Sequence, residues 1–260
     1  MSMAMLIDTS KCTACRGCQV ACKQWNDLPA EETHNWGSYQ NPQHLSAVTW
    51  KLVTFHEVEK EGEVRWLFAP TQCFHCAEAS CVSVCPTGAA YHRGDYVLID
   101  QSQCIGCGYC VEACPFHVPH SMPGPDGRHK STARKCIFCI DRISSGLLPA
   151  CAKTCPAGAY TVGERSELIS LGRARVETLK ARGDTNAYLY GEKELGGLQV
   201  MMVLRDRPAL YGLPENPRVA TKNVLGQWLS GFVAAGVVAV LPFWLLTKRK
   251  NELAAKERGK

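Results

Sequence analysis

CIGCGYCVEACP, residues 104–115, spaces four cysteines as C-x2-C-x2-C-x3-C and closes on a proline. Three further groups of four lie on either side of it. Cys12, Cys15, Cys18 and Cys22 repeat the same spacing. Cys73, Cys76, Cys81 and Cys85 read C-x2-C-x4-C-x3-C-P, and Cys136, Cys139, Cys151 and Cys155 read C-x2-C-x11-C-x3-C-P. The four groups use all sixteen cysteines of the 260 residues. A chain of this length makes one or two compact domains, and its 46% apolar fraction excludes global disorder. Of the net charge of +5, +4 lies in residues 248–260, so the body lacks the basic footprint of a nucleic-acid binder.

Three chemistries compete for cysteines this dense. A disulfide framework suits a small secreted domain without a core, and no cleavable signal segment is expected here. Structural zinc takes two C-x2-C pairs separated by a long gap. Three or four crowded cysteines followed by proline are instead the run that bacterial ferredoxins use to hold [4Fe–4S] clusters. Four groups of four predict four cubanes.

An internal repeat orders the ligands. LIDTSKCTACRGCQVAC (6–22) and LIDQSQCIGCGYCVEAC (98–114) agree at nine of seventeen positions. The other two groups share an ending, CPTGAAY from Cys85 and CPAGAY from Cys155. The halves therefore alternate A, B, A, B. In two-cluster ferredoxins the B half precedes the A half, and the fourth cysteine of each run crosses to the other cluster. Groups two and three follow that order directly; groups four and one follow it in circularly permuted form. The ligand sets expected are Cys12, Cys15, Cys18 with Cys155; Cys136, Cys139, Cys151 with Cys22; Cys73, Cys76, Cys81 with Cys114; and Cys104, Cys107, Cys110 with Cys85. The alternative is two tandem ferredoxins made of groups one–two and three–four.

Between the cysteine groups, residues Val48 to Val58 and Val64 to Ala69 flank a Glu-Lys-Glu-Gly-Glu turn, predicting a β-hairpin that lids the cluster domain. Residues 115–134 are rich in proline and glycine, predicting a loop that covers a cluster or faces a partner. Leu168, Leu171, Val176 and Leu179 mark an amphipathic helix over 164–182, and Gly196 to Leu204 a buried strand, after which Pro208, Pro214 and Pro217 predict no regular structure. Residues 223–247 are 25 in number without a charge, enough at ~1.5 Å per residue to cross a hydrocarbon core of ~30 Å. Trp228 and Trp244 sit near its ends, and Lys248, Arg249 and Lys250 follow, predicting a cytoplasmic tail and a periplasmic cluster domain. The eight residues before Thr9 are too short for an export signal, so the folded chain is expected to cross with a partner bearing a twin-arginine signal.

No catalytic residues are expected. The sequence has no nucleotide-binding glycine fingerprint, P-loop or HExxH, and its eight histidines are scattered. His75, between Cys73 and Cys76, could donate to a cluster sulfur; solvent exposure is the plainer expectation. Arg16, Lys23, Lys135 and Lys153 lie in or beside cysteine runs, where positive charge raises cluster potentials, an effect that exposure would make small.

Together these features resemble the four-cluster electron-transfer subunits of membrane-bound molybdenum and tungsten oxidoreductases, and most of all the beta subunits of respiratory formate dehydrogenases. Beyond the cysteines, the resemblance rests on Trp25-Asn26-Asp27, Asn41-Pro42, Leu45-Ser46-Ala47, Trp50, Gly108-Tyr109, Lys180-Ala181-Arg182-Gly183, Gly196-Gly197 and Tyr211-Gly212-Leu213-Pro214. It implies a catalytic alpha subunit with a molybdenum or tungsten bis-pterin centre, a membrane gamma subunit with b-type haem that reduces quinone, and a heterotrimer. The fold expected is α+β. It comprises two pseudo-symmetric bacterial-ferredoxin-like modules (1–30 with 130–163, and 70–129), a β-hairpin insertion (31–69), an extension (164–222), one C-terminal transmembrane helix (223–247) and a basic tail (248–260). Within the same class, the partner could be a nickel–iron hydrogenase or a sulfur-compound reductase. From a different class, the chain could be a zinc-stapled membrane scaffold.

Overall fold

A computed structural model describes residues 3–60, 62–122, 131–222 and 224–258. The chain forms two compact units, Met1–Ala220 and Thr221–Lys260. The first begins with strand β1 (Met3–Asp8) and helix α1 (Gly17–Trp25), then β2 (Leu52–Lys60) and β3 (Glu63–Thr71). Helix α2 (Ser80–Ser83), β4 (Ala90–Arg93), β5 (Tyr96–Ile99) and α3 (Tyr109–Ala113) follow. Next come β6 (His120–Met122), β7 (Thr132–Arg134), α4 (Ile140–Ser144), α5 (Ala150–Lys153) and β8 (Tyr160–Glu164). The unit closes with α6 (Arg165–Ala181), β9 (Tyr188–Tyr190) and β10 (Val200–Leu204).

One four-stranded sheet, in the order β8-β1-β10-β9, organises this unit. Strand β10 is VMMVL, an unbroken apolar run, and it lies inside the sheet parallel to β1. A strand covered on both faces needs no polar alternation. Val200, Met202 and Leu204 join Met5 and Ile7 in a core shared with Cys18, Cys151, Phe74 and Phe138. The intervening Met201 and Val203 join Ala4 and Leu6 in a second core under α6. The two-residue strand period thus sends one face to the cysteine loops and the other to the helix.

Helix α6 meets the sheet with Leu168, Val176 and Leu179, while Leu171, expected on that face, is 48% exposed. Gly172 takes the contact: a Cβ there would lie 2.7 Å from Leu189 Cδ1 and 3.3 Å from Leu6 Cδ1, so helix and sheet approach more closely than a side chain allows. Arg175 on the same helix donates to Asp8 Oδ2 and Ser10 Oγ, both at 2.8 Å, pinning the strand that leads into the first cysteine group.

The A and B halves meet through strand pairing. Ile7 of β1 pairs with Tyr160 of β8, and the Asp8 N–H donates to Ala159 O at 2.8 Å. The same pattern recurs between β4 and β5, where Ala90 pairs with Ile99 and the Asp100 N–H donates to Ala89 O at 2.8 Å. Asp8 then accepts from Ser10 N and Oγ, as Asp100 does from Ser102 N and Oγ. Group one is therefore built against group four, and group three against group two.

Strands β2 and β3 form a nine-pair antiparallel ribbon whose first strand starts at Leu52, four residues later than the apolar pattern suggests. Residues 115–134 are less irregular than expected: β6 and β7 pair over three residues, an isolated ribbon that proline before it and glycine-rich sequence between its strands do not prevent. Residues 123–130 of that loop lie outside the described residues. Pro208–Tyr211 forms a 3-10 turn, with Pro208 at its first position where the missing N–H costs nothing.

The second unit is helix α7 (Val224–Arg258), which runs through the basic residues that follow the apolar span instead of stopping before them. Trp228–Asn251 is long and apolar enough to cross a bilayer.

Replacing Gly172 by valine is expected to destabilise the first unit by about 1–3 kcal/mol through overpacking, read as a lower guanidinium midpoint. An unchanged midpoint would show that α6 has room to withdraw.

Candidate metal centres

The short loops between cysteines curl because particular residues adopt left-handed backbone. In group one these are Ala14 (φ +55°) and Arg16 (+61°); in group three the matching positions are Gly106 (+73°) and Gly108 (+80°). In groups two and four they are His75 (+48°) and Phe138 (+58°). Each reversal turns successive thiols toward one point, and α1 and α3 start immediately afterwards, which places Cys18 and Cys110 in a first helical turn.

None of the sixteen cysteines is in a disulfide. Cys22, Cys136, Cys139 and Cys151 line one cavity; Cys73, Cys76, Cys81 and Cys114 line a second; Cys85, Cys104, Cys107 and Cys110 line a third. The space free of protein atoms in and around them is about 340, 350 and 340 Å³, part of it open to solvent. Every cavity takes three cysteines from one group and one from another. In the remaining set, the Cys12 thiol has Cys18 and Cys155 as electrostatic neighbours. The Cys15 sulfur lies 3.7 Å, and the Thr154 methyl 3.9 Å, from where a Cβ on Gly17 would stand.

Burial and mutual repulsion shape the thiols' acidity. Burial first, then the adjacent Cys151 and Cys139, push Cys22 up to about 12. Burial and neighbouring cysteines likewise move Cys81 to about 12 and Cys110 and Cys139 to about 11, and carry Cys76 and Cys136 higher still. Buried thiols so close together repel one another as thiolates, and a cationic core removes that penalty by deprotonating them outright. Among the described residues no three Cys, His, Asp or Glu side chains converge tightly enough for a single metal ion. The donors stand around a space, which fits a polyatomic iron–sulfur core and not zinc, whose thiolates close to ~2.3 Å.

Amide donors point at several sulfurs. Phe138 N–H reaches Cys136 Sγ and Ala90 N–H reaches Cys85 Sγ, both at 3.4 Å, and Asn26 Nδ2 lies 3.7 Å from Cys22 Sγ. At Cys85 burial raises the pKa, but the N–H groups of Ala90, Thr87 and Ala89 and the Thr87 hydroxyl more than offset it, and the net shift is downward.

Adjacent sets share boundaries. Cys18 faces Cys151, Cys136 faces Cys73, and Cys81 faces Cys110. These contacts put the cysteines in the order Cys12 group, Cys22 and Cys136, Cys73, then Cys85 and Cys110, each neighbour to the next. The end sets each have an exposed cysteine, Cys15 and Cys107, whereas the cysteines of the inner sets are buried or half-buried.

Two expectations are corrected here. His75 is 0% exposed: its Nδ1 accepts from Val97 N–H at 3.1 Å, and its ring stands edge-on to Phe138, 5.2 Å between centroids. A histidine between two cysteines of a run reads as polar surface, but the turn that brings Cys73 and Cys76 together points it at the matching turn of group four. Lys135, expected to be exposed, is 3% exposed, and its ammonium donates to Val97 O and Cys136 O. Burial lowers its pKa, but Cys73, Cys81 and Cys136 facing it reverse the shift. Lys51 escaped sequence reasoning because it precedes a hairpin outside every cysteine motif. It is 1% exposed, donates to Gln72 Oε1, and lies over the Tyr160 ring at 4.8 Å.

Comparison with known proteins agrees with this chemistry. Residues 11–89 and 64–165 each match a family described as a 4Fe-4S dicluster domain. The chain is 42% identical over 243 residues to the "Formate dehydrogenase, nitrate-inducible, iron-sulfur subunit" of Escherichia coli (strain K12), covering 91% of this chain and 81% of that one. It is 44% identical to the "Formate dehydrogenase-O iron-sulfur subunit" of the same organism, over 84% of this chain and 73% of that one. It is 39% identical to the "Formate dehydrogenase subunit beta" of Megalodesulfovibrio gigas, over 81% and 97%. Two dicluster domains and sixteen cysteines correspond to four [4Fe–4S] clusters.

A Cβ on Gly106 would lie 1.8 Å from the Ser131 carbonyl oxygen, at a backbone φ of +73°. Gly106→Ala is expected to cost the Cys104-Cys107-Cys110 loop its cluster, measured as one cluster's worth of iron and sulfide lost from the purified protein. Full iron content would mean that the Ser131 segment yields.

Proposed function

We propose that this chain, which belongs to the formate dehydrogenase iron–sulfur subunit family, conducts electrons from a catalytic molybdenum or tungsten bis-pterin subunit to a membrane subunit carrying b-type haem and reducing quinone. It is the electron-transfer subunit and not the catalytic one. The observation that carries the reading is that three cavities are each lined by three cysteines of one run and one of a distant run, with the cysteines of the remaining set, Cys12, Cys15, Cys18 and Cys155, left over to form a fourth.

The proposed ligand sets are Cys12, Cys15, Cys18, Cys155; Cys22, Cys136, Cys139, Cys151; Cys73, Cys76, Cys81, Cys114; and Cys85, Cys104, Cys107, Cys110. When bound, a cubane with four thiolate ligands supplies one-electron transfer and leaves no iron site open to substrate. The chain's own residues do the rest. The thiols fix position, the amides of Phe138 and Ala90 polarise toward sulfur, and the cores around Phe74, Phe138 and Val97 exclude water from the inner sets. The recurring Asp–Ser bonds and matched left-handed turns support two pseudo-symmetric modules, 1–30 with 130–163 and 70–129, the hairpin of residues 31–69 being an insertion between their halves.

Helix α7 is proposed to span the membrane with its basic end in the cytoplasm, which puts the cysteine-bearing unit on the periplasmic side of a heterotrimer. External protease is then expected to cleave the cluster unit in spheroplasts; protection would reverse the orientation.

The co-purified complex is expected to bleach its cluster absorbance with formate and not with hydrogen; reduction by hydrogen would point to a hydrogenase. In Cys155→Ser, the altered electron paramagnetic resonance signal is expected to be the same one that Cys12→Ser alters. A signal shared instead with Cys136→Ser would show that the runs do not cross.

A further inference from the structure

Two lysines are the only cations among the described residues that are buried outright. Both are held by neutral partners. Lys51 donates to Pro70 O at 3.4 Å and to Gln72 Oε1, and Lys135 donates to Cys136 O at 3.2 Å and to Val97 O. Neither forms an ion pair with a carboxylate among the described residues. A buried cation without an anion is strongly destabilising. Lys135 lines the cavity of Cys73, Cys76, Cys81 and Cys114, and Gln72, which holds Lys51, lines that of Cys22, Cys136, Cys139 and Cys151. The groups that face these two, anionic once they ligate a cluster, are cysteine sulfurs: Cys22, Cys151 and Cys12 for Lys51, and Cys73, Cys81, Cys136 and Cys114 for Lys135.

The repeat shows that these placements are equivalent. Cys22 and Cys151 in one half match Cys114 and Cys81 in the other, so each lysine addresses the same pair of positions in its own inner set. Yet the two cations arrive by different routes. Lys135 immediately precedes Cys136; the matching residue before Cys73 is Gln72, which is neutral. Lys51 comes from outside the repeat, at the start of the hairpin, and bonds the amide of that glutamine. Where one half has glutamine at the lysine position of the other, a second segment supplies the charge.

We propose that Lys51 and Lys135 set the reduction potentials of the two inner clusters, each acting chiefly on one: Lys51 raises that of the Cys22-Cys136-Cys139-Cys151 set and Lys135 that of the Cys73-Cys76-Cys81-Cys114 set. The proposal rests on the four-cluster reading. One electron, taken from the partner subunit's oxidation of formate, makes a set more negative, and a buried cation stabilises that state more than the oxidised one. Both lysines are positioning residues for electron flow: they are held beside the ligand sulfurs by neutral oxygens and take no part in chemistry.

The test is a redox titration of the intact complex, followed by electron paramagnetic resonance, in wild type, Lys51→Met, Lys135→Met and the corresponding arginine variants. Each methionine variant is expected to shift the reduction equilibrium of one cluster about tenfold toward oxidation, about 59 mV for one electron, and the two variants shift different clusters. Arginine, which keeps the charge, restores most of the shift. In wild-type complex labelled with 15N-lysine, pulsed resonance is expected to show a nitrogen coupling on two clusters; this needs no variant and decides the matter if a methionine variant does not assemble. Unmoved potentials, equal shifts with arginine and methionine, or no lysine coupling would overturn the assignment. Fewer than four clusters in wild type would instead overturn the reading beneath it.

Discussion

A cubane core has to be met by four thiolates at once, and no short loop of this chain supplies all four. Three cavities combine cysteines of one group with a single cysteine from far away in sequence, Cys22 with the Cys136 group, Cys114 with the Cys73 group and Cys85 with the Cys104 group, and the proposed fourth set adds Cys155 to the Cys12 turn in the same way. This one constraint organises the unit. It requires group one to lie against group four, and the β1–β8 pairing with the Asp8–Ala159 bond supplies that contact. It requires group two to lie against group three, which the β4–β5 pairing supplies. The helices are short because they are only the last turn of a cysteine loop; the long element, α6, stays on the opposite face of the sheet. In such a molecule, binding free energy is folding free energy.

The same crowding poses an electrostatic problem. Sixteen sulfurs gather within a body of nearly zero net charge, and the inner ones are removed from water. Amide N–H groups disperse part of the charge, as at Cys136 and Cys85, but a peptide dipole is weaker than an ion. Buried cations stand beside both inner sets, and Lys51 also faces Cys12 of one end set. The end sets have an exposed cysteine each, where solvent screens what the protein does not. The line of sets is thus graded from wet ends to a dry, cation-flanked middle.

Much of this was legible in the sequence because it is local or repeated. Cysteine spacing, the Leu-Ile-Asp lead-ins and the apolar run Val200–Leu204 specify loops, strands and their partners directly. What escaped depends on contacts across the fold. Lys51 sits in no motif, and only the pairing of β2 with β3 carries it to Gln72. His75 reads as surface until the turn of group two is set against Phe138 of group four. Leu171 fits the helical period, but the close approach at Gly172 rotates the contact away from it. In each case a side chain's environment is decided by a segment more than ten residues away, which periodicity cannot register.

The two A halves also show how the local and the global trade off. In group three, the left-handed positions are glycines, Gly106 and Gly108, which adopt positive φ without steric cost. In group one the same positions are Ala14 and Arg16, where a Cβ makes that backbone unfavourable by about 1–2 kcal/mol each. The conformation persists in both, so in group one something beyond local preference holds it. Arg16 itself contributes: its guanidinium donates to Tyr39 O and lies over the Phe55 ring at 5.1 Å. A side chain that strains the turn therefore also ties it to the hairpin, and glycine there would relieve the strain while releasing the tie. Group three has the opposite need, because the Ser131 carbonyl packs where a Cβ on Gly106 would stand. One loop geometry, demanded twice by the same inorganic core, is reached once by removing side chains and once by anchoring them.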